Sequence, residues 1–172
     1  MKKLAFIIAF IFSLTAAHGQ IVLEHIFNPE YNKMTLIKLD AAGYKYVGNT
    51  YFPPALDIYN TDYSLYRSIQ IPQYPNLICS GQVDYVSDHL FNSDDLIEYA
   101  VWYFTNNNSE VLKVINENGV ELLSVPGDLH QVYWDGNGHY KMVVQAQWEA
   151  IFSLCAAPGS VPCVDDCPTM DY

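Results

Sequence analysis

Residues 91–104 read FNSDDLIEYAVWYF and place an acidic turn directly before an apolar, aromatic segment. Aromatic and β-branched residues are enriched in strands, so 96–104 is predicted to be a β-strand. The turn carries Asn92, Asp94 and Asp95. It has three interpretations: a calcium loop, a catalytic pair of carboxylates, or the corner of a repeated β unit. The rest of the chain bears on that choice.

The same strand signal runs through the whole chain, in which 14 of 172 residues are Tyr. Short segments rich in such residues are bounded by Gly, Pro, Asn and Asp, as strands are. No window shows a sustained helical period. The predicted fold class is therefore all-β and antiparallel, with strands near 21–27, 34–39, 44–51, 55–60, 64–71, 77–79, 82–86, 96–104, 110–116, 120–125, 130–134, 140–147 and 150–154.

Hairpin corners are predicted at residues 60–62, 116–119 and 135–138, and the last two contain Asn-Gly or Asp-Gly pairs, which tolerate a positive φ. The segment IYNTDYSLYRSIQIP (58–72) resembles VINENGVELLSVP (114–126). Superposing Asn60 on Asn116 gives a period of 56 residues, and a third, shortened copy is expected from residue 139. Repeats of this length with about four strands each indicate propeller blades.

The chain has room for about three incomplete blades, fewer than the four to eight of a closed propeller. The predicted architecture is a set of propeller-like repeated β-sheets, with a single β-sandwich as the alternative.

The N-terminus has the plan of a secretory signal peptide. Lys2 and Lys3 precede the apolar run Leu4–Leu14, which is too short for a comfortable membrane span, although an uncut anchor is the alternative. Cleavage is predicted between Gly19 and Gln20. The protein is therefore expected to be secreted or periplasmic.

The mature chain divides into an all-β repeat domain, 20–160, and a short Cys-containing tail, 161–172. Without the two basic residues of the leader, six of the chain's eight Lys and Arg residues remain against nineteen acidic ones. Such an acidic protein repels nucleic acid, which binds proteins through Lys and Arg. No further apolar run of spanning length is found, so no membrane span is expected in the mature chain.

Four cysteines, an even number, predict disulfides in an exported protein. The favoured pairs are Cys79–Cys155 and Cys163–Cys167, among three connectivities. A zinc site is the alternative, but a Cys-x₃-Cys spacing is unusual for zinc.

No motif of nucleotide binding, metalloprotease or serine hydrolase chemistry is found. Neighbouring strand residues point to opposite faces, so Ser87-Asp88-His89 is interpreted as a turn rather than a triad. The aromatic side chains are interpreted as core and cross-strand pairs. A sugar-stacking platform is the alternative, built on Trp102, Trp134 and Trp148.

All three copies place a short polar turn before an apolar strand, so the acidic turn is interpreted as a corner shaped by Asx side chains. Calcium needs six to eight oxygen ligands. Asn92, Asp94, Asp95 and Glu98 are the weak calcium candidates, and their spacing does not match an EF-hand. No catalytic residue, cofactor or resident metal is predicted.

The segments GYKYVGNTYF (43–52), IYNTDYSLYRSIQIP (58–72), YVSDHLFNSDDLIEYAVWYF (85–104) and VINENGVELLSVPG (114–127) are similar to segments of large secreted proteins of the Bacteroidetes. The resemblance covers roughly residues 25–165. It implies a propeller-like region of the kind that often precedes a type IX secretion sorting domain, and it assigns no catalytic residue. Here only VDDCPTMDY follows Cys163, where relatives continue into that domain.

The expected function is a non-enzymatic binding or structural module of the cell envelope or extracellular space, whose partner is a glycan or an envelope protein. The alternative is a carbohydrate-active or other hydrolytic enzyme that uses acidic residues in a cleft. Carboxylates from different repeats converging in one place would favour the enzyme.

Overall fold

The computed structural model describes residues 22–92, 94–137, 139–146 and 149–154. All regular elements within these ranges are strands, which confirms the all-β prediction. They are β1 (Met34–Leu39), β2 (Gly43–Tyr51), β3 (Pro54–Tyr59), β4 (Leu65–Gln70), β5 (Leu77–Ser87), β6 (Glu98–Thr105), β7 (Glu110–Asn116), β8 (Glu121–Pro126), β9 (Asp128–Trp134), β10 (Tyr140–Gln145) and β11 (Glu149–Leu154). No helix long and apolar enough to cross a membrane occurs in the described ranges.

The strands form three antiparallel sheets in which chain neighbours are also sheet neighbours. Sheet one is β1-β2-β3-β4, sheet two is β5-β6-β7-β8, and sheet three is β9-β10-β11. Each sheet is therefore a meander joined by short turns, as a propeller blade is. The packing is compatible with either a propeller-like arrangement or a sandwich.

Sheet two lies between the other two sheets. Its Tyr99 and Val101 share one hydrophobic cluster with Leu56 of sheet one. Its Ala100 shares a second cluster with Met142 of sheet three. Because successive side chains alternate between faces, β6 buries both of its faces, which explains why its sequence is a continuous apolar run.

The register of the first two sheets confirms the 56-residue period. Leu56 pairs with Ile69 in sheet one, and Leu112 pairs with Val125 in sheet two. Each residue of the second pair lies 56 positions after its counterpart. The third copy was predicted too short, since β9, which begins at Asp128, pairs with β10 in the same sheet.

The turns that follow β3 and β7 are also equivalent. The Asn60 N–H donates to the Ser64 carbonyl at 2.8 Å, and the Asn116 N–H donates to the Val120 carbonyl at 3.0 Å. The fourth residue of each turn has a positive φ, 69° at Tyr63 and 79° for the glycine that follows Asn118.

Two strand predictions are corrected. The part of the predicted strand 21–27 that the structure describes, 22–27, forms no strand, because it contacts a sheet face through side chains rather than an edge through its backbone. The predicted strands 77–79 and 82–86 are one strand, β5, whose pairing with β6 is interrupted by bulges around Gly81.

Candidate functional site

The acidic turn before β6 is shaped by its own side chains. Asn92 Oδ1 accepts the Asp94 N–H at 3.0 Å, and Asp94 Oδ1 accepts the Leu96 N–H at 2.9 Å. The Asn92 amide donates to Asp94 Oδ2 at 3.1 Å. These Asx bonds support the interpretation as a corner. The described residues contain no group of three or more His, Cys, Asp or Glu that could hold a metal ion. That calcium binds weakly or not at all stays a prediction.

Ser87, Asp88 and His89 form no triad: His89 Nδ1 lies 3.9 Å from Asp88 Oδ1, and among the described residues the Ser87 hydroxyl contacts only backbone groups. The Ser87 hydroxyl accepts the N–H groups of His89 and Leu90. His89 Nε2 lies 3.0 Å from Asp95 Oδ1, which ties the end of β5 to the acidic turn.

Asp88 joins sheets one and two. Its buried carboxylate accepts the N–H groups of Asp40, Ala41 and Ala42 at 2.7, 2.9 and 3.2 Å. These three residues form the turn between β1 and β2. The turn therefore depends on a side chain from the next sheet, 46 or more positions away.

Glu98 is fully buried beneath the acidic turn. Its Oε2 accepts the Phe91 N–H at 2.9 Å, whereas Oε1 has no partner within the protein. Burial, together with the negative charge of Asp94, raises the pKa of the Glu98 carboxyl to about 7. This group therefore gains or loses a proton near neutral pH.

Two carboxylates from different sheets, those of Asp84 and Asp128, are near enough to interact electrostatically. Asp84 lies on β5 of sheet two, and Asp128 begins β9 of sheet three. Burial and the charge of Asp128 raise the pKa of Asp84. One oxygen of each carboxylate is buried without a hydrogen-bond partner in the protein.

The described Trp residues of the proposed sugar platform make different contacts. Trp102 on β6 packs edge-on against Phe104 at 4.6 Å, and its Nε1 is buried without a partner. Trp134 is about half exposed and packs against Tyr140 at 5.1 Å. Trp148 lies outside the described residues. The Trp102 contact therefore lies within strand β6, and only the Trp134 contact joins paired residues of two strands.

The cysteine and leader predictions fall mostly outside the described ranges. Cys79 forms no disulfide with another described residue, and burial raises the pKa of its thiol. Cys155, Cys163 and Cys167 are not described, and neither are residues 1–19. The disulfide pairs and the cleavage between Gly19 and Gln20 therefore stay predictions.

Residues 22–32, which we call the strap, lie across the outer face of sheet one, the face turned away from sheet two. The Phe27 ring lies 5.4 Å from the ring of Tyr46 and 5.4 Å from that of Tyr59. The Asn32 N–H donates to the carbonyl of Asn49 on β2 at 3.0 Å. The strap thus covers aromatic surface that would otherwise face water.

Polar contacts fix the C-terminal half of the strap. The Tyr31 hydroxyl donates to Asp57 Oδ2 at 2.7 Å and lies 2.6 Å from the Tyr59 hydroxyl. Asp57 Oδ1 accepts the Ser68 hydroxyl at 2.6 Å. Burial, together with the bonds to Tyr59 and Asp57, raises the pKa of Tyr31. This hydroxyl therefore remains a hydrogen-bond donor at all physiological pH values.

The N-terminal half of the strap is held more loosely. The His25 ring stacks on the Tyr63 ring at 4.4 Å, and the Tyr63 hydroxyl donates to Glu24 at 2.6 Å. Val22, Leu23 and two other large apolar residues near this end, Ile26 and Leu36, are more than half exposed.

The residues under the strap occupy the same sheet positions as residues buried inside the stack. In sheet one Gly48 pairs with Asp57, and the equivalent pair in sheet two is Val101 with Lys113. By the same register, Tyr46 corresponds to Tyr99, and Tyr59 corresponds to Ile115. In sheet two those positions are buried against sheet one. The outer face of sheet one is therefore built as a face that another sheet could cover.

Comparison with known proteins identifies no relative: no protein-family model, no curated protein and no solved structure matches this chain.

Sequence reasoning missed the strap and the Asp84–Asp128 pair. Apolar alternation at the N-terminus indicated a strand, and only the Asn28-Pro29 pair that follows argued against one. The carboxylate pair joins residues 44 positions apart through inter-sheet packing, which leaves no local signal.

Proposed function

We propose that the protein is an exported, non-enzymatic module that acts by surface contact, as a binding or structural component of the cell envelope or extracellular space. The observation that carries this proposal is the outer face of sheet one. It resembles an internal sheet junction, yet it is covered by the strap of residues 22–32 instead of another sheet.

Four polar side chains are bonded within the protein, in turns or to the strap, which supports a contact role. Asp88, Asn92 and Asp94 are engaged in turns, and Asp57 is engaged with the strap. The excess of acidic residues keeps such a protein soluble and repels nucleic acid. A glycan or an envelope protein remains the proposed partner class.

The test compares the chain starting at Gln20 with two single variants, on a glycan array and on immobilised envelope proteins. Phe27→Ser loosens the strap, and Phe52→Ser removes an aromatic ring that is 93% exposed on another turn. We expect saturable binding that changes in Phe27→Ser and is retained in Phe52→Ser. Equal binding by all three chains would contradict the assignment of the contact surface.

The Asp84–Asp128 pair favours a second candidate function, hydrolysis by two acidic residues. A panel of chromogenic glycosides and esters tests it. The contact module is expected to release no product. Turnover that is lost in both Asp84→Asn and Asp128→Asn would establish the enzyme instead.

A further inference from the structure

We infer that the strap is a cap that ends the stack of sheets, and that the face beneath it is a docking surface for a second copy of this chain. The inference rests on the proposed contact function and adds a second copy of this chain as a partner of the same surface. It follows from how the three sheets stack, from what the strap replaces, and from the surface at the other end of the stack.

The two junctions inside the chain follow one rule. Sheet one turns its Leu56 face toward the Val101 face of sheet two. Sheet two turns its opposite face, which carries Leu112, toward the Met142 face of sheet three. Leu56 and Leu112 are repeat equivalents, 56 positions apart. Each sheet thus has one face that receives the preceding sheet and another that contacts the following sheet.

The outer face of sheet one is a receiving face. Tyr46 and Tyr59 stand where sheet two has Tyr99 and Ile115. A preceding sheet would cover them, and the strap does so in this chain. The outer face of sheet one therefore carries large side chains at two positions that are buried by the preceding sheet in sheet two.

Gly48 shows that the face is adapted to its cap. Sheet two has Val101 at the equivalent position. A Cβ added at Gly48 would lie 2.9 Å from Tyr31 Cγ and would also collide with the Met34 sulfur. The missing side chain makes room both for Tyr31 of the strap and for Met34 of β1.

The other end of the stack offers the complementary face. Met142 and Val144 of β10 are buried against sheet two, so Val143 between them faces outward. Val143 pairs with Ile151 of β11, which is 66% exposed. By the stacking rule this outer face of sheet three is the one that contacts a following sheet.

The strap covers its face incompletely. Leu36 and Tyr44, which lie on the same face of sheet one as Tyr46, are 52 and 57% exposed. A sheet that buries its whole inner face gains more from the hydrophobic effect. Once the strap is removed, the outer face of sheet three from a second copy is expected to dock head to tail.

The test compares the chain from Gln20 with a strapless chain from Lys33, by sedimentation over a wide range of protein concentration. Circular dichroism checks that each chain is folded. We expect a monomer for the longer chain and reversible, concentration-dependent association for the strapless one. The Phe27→Ser variant of the longer chain keeps the whole polypeptide and is expected to associate, but more weakly than the strapless chain. This variant provides the test if the strapless chain does not fold.

The docking surface is tested by Ile151→Lys in the strapless chain. A charge placed in the junction is expected to weaken association by at least about tenfold. The matched control is Ile78→Lys, which changes a residue 62% exposed on edge strand β5 and is expected to have no effect.

The inference would be overturned if the strapless chain and the Phe27→Ser variant were folded and monomeric at all concentrations. It would also be overturned if Ile151→Lys left the association unchanged. Either result leaves the proposed contact function standing, because the array and substrate panel test that function separately.

Discussion

Asp57 of β3 and Lys113 of β7 occupy the same position in consecutive sheets and carry opposite charges. Each is bonded to a serine on the next strand: Asp57 to Ser68 at 2.6 Å, and Lys113 to Ser124 at 2.8 Å. The two serines are also 56 positions apart. The repeat thus preserves a polar row across the sheet, while its two copies serve different neighbours: Asp57 holds the strap, and Lys113 is buried between sheets one and two.

Lys113→Ala is expected to destabilise the protein by about 2 kcal/mol, because it removes both a buried aliphatic stem and the ammonium that pairs with the Glu121 carboxylate. The Glu121 side chain is 38% exposed, so water limits the loss. Lys113→Met keeps most of the buried stem and is expected to lose less than half as much. Urea unfolding measures both variants, and equal losses would contradict the role assigned to the stem.

Stability is expected to fall as pH rises through neutrality because of Glu98. Its pKa in the folded protein is about 7, above the ordinary carboxyl value near 4.5. A group with a raised folded pKa stabilises below its unfolded pKa, and that contribution is lost as pH rises through the folded pKa. The difference corresponds to a loss of up to about 3 kcal/mol between pH 4.5 and 8.

Glu98→Gln removes that charge and keeps an oxygen for the Phe91 N–H. We expect the variant to be more stable than the parent at pH 8 and similar to it at pH 4.5. Chemical unfolding of both chains across this pH range measures the difference. A constant difference at every pH would show that Glu98 does not titrate in this range.

Calcium is expected to leave the melting temperature of the protein nearly unchanged. Asp94 and Asn92 use their oxygens for turn bonds, and Asp94→Asn keeps the oxygen that accepts the Leu96 N–H. The double variant Asp94→Asn, Asp95→Asn is therefore expected to cost little. A bound ion at 100 times its dissociation constant would add about 2.7 kcal/mol. Thermal melts in millimolar calcium and in chelator would reveal it, and a rise abolished by the double variant would establish a metal site.

Gly119→Ala is expected to cost about 1 kcal/mol, because φ is +79° and L-residues with a Cβ are strained there. Space is not the cause, since an added Cβ would meet only Pro72, at 3.8 Å. Gly119→Asn is expected to cost less, as Asn tolerates this conformation and Asn108 adopts it at φ 58°. Denaturant unfolding compares the two, and an Asn variant no better than Ala would contradict the backbone explanation.

Asp88→Ala is expected to cost about 3 kcal/mol, because three backbone N–H groups lose a charged acceptor in a buried site. The matched control is Asp95→Ala, whose side chain is 83% exposed and is expected to change stability by no more than about 0.5 kcal/mol. Hydrogen exchange at Asp40, Ala41 and Ala42 measures the local effect. Unchanged protection in Asp88→Ala would show that the turn forms without sheet two.

Local sequence patterns predicted most of the strands. The Asn-Gly turn at 118–119 and the repeat of Asn60 at Asn116 are visible in sequence because turn chemistry and strand pairing act between near neighbours. The same patterns correctly placed sheets one and two in register.

Contacts between sheets could not be predicted in this way. Asp88 bonds to a turn in another sheet. Asp128 raises the pKa of Asp84, and Phe27 covers Tyr46 and Tyr59. Each of these interactions depends on the packing of distant segments. The alternation at 22–27 looked like a strand because apolar spacing does not distinguish an edge that pairs from a surface segment that only packs.

The central position of sheet two also sets the order in which the apolar clusters can be shielded from water. A chain that folds from its N-terminus completes sheet one while Tyr99 and Val101 are still unfolded. The face of sheet one that carries Leu56 therefore stays exposed to water until β6 has formed. Because β6 contributes to the apolar clusters on both sides, its arrival couples the early and late parts of the chain. Slow amide exchange should accordingly centre on β6 and decline toward β1 and β11.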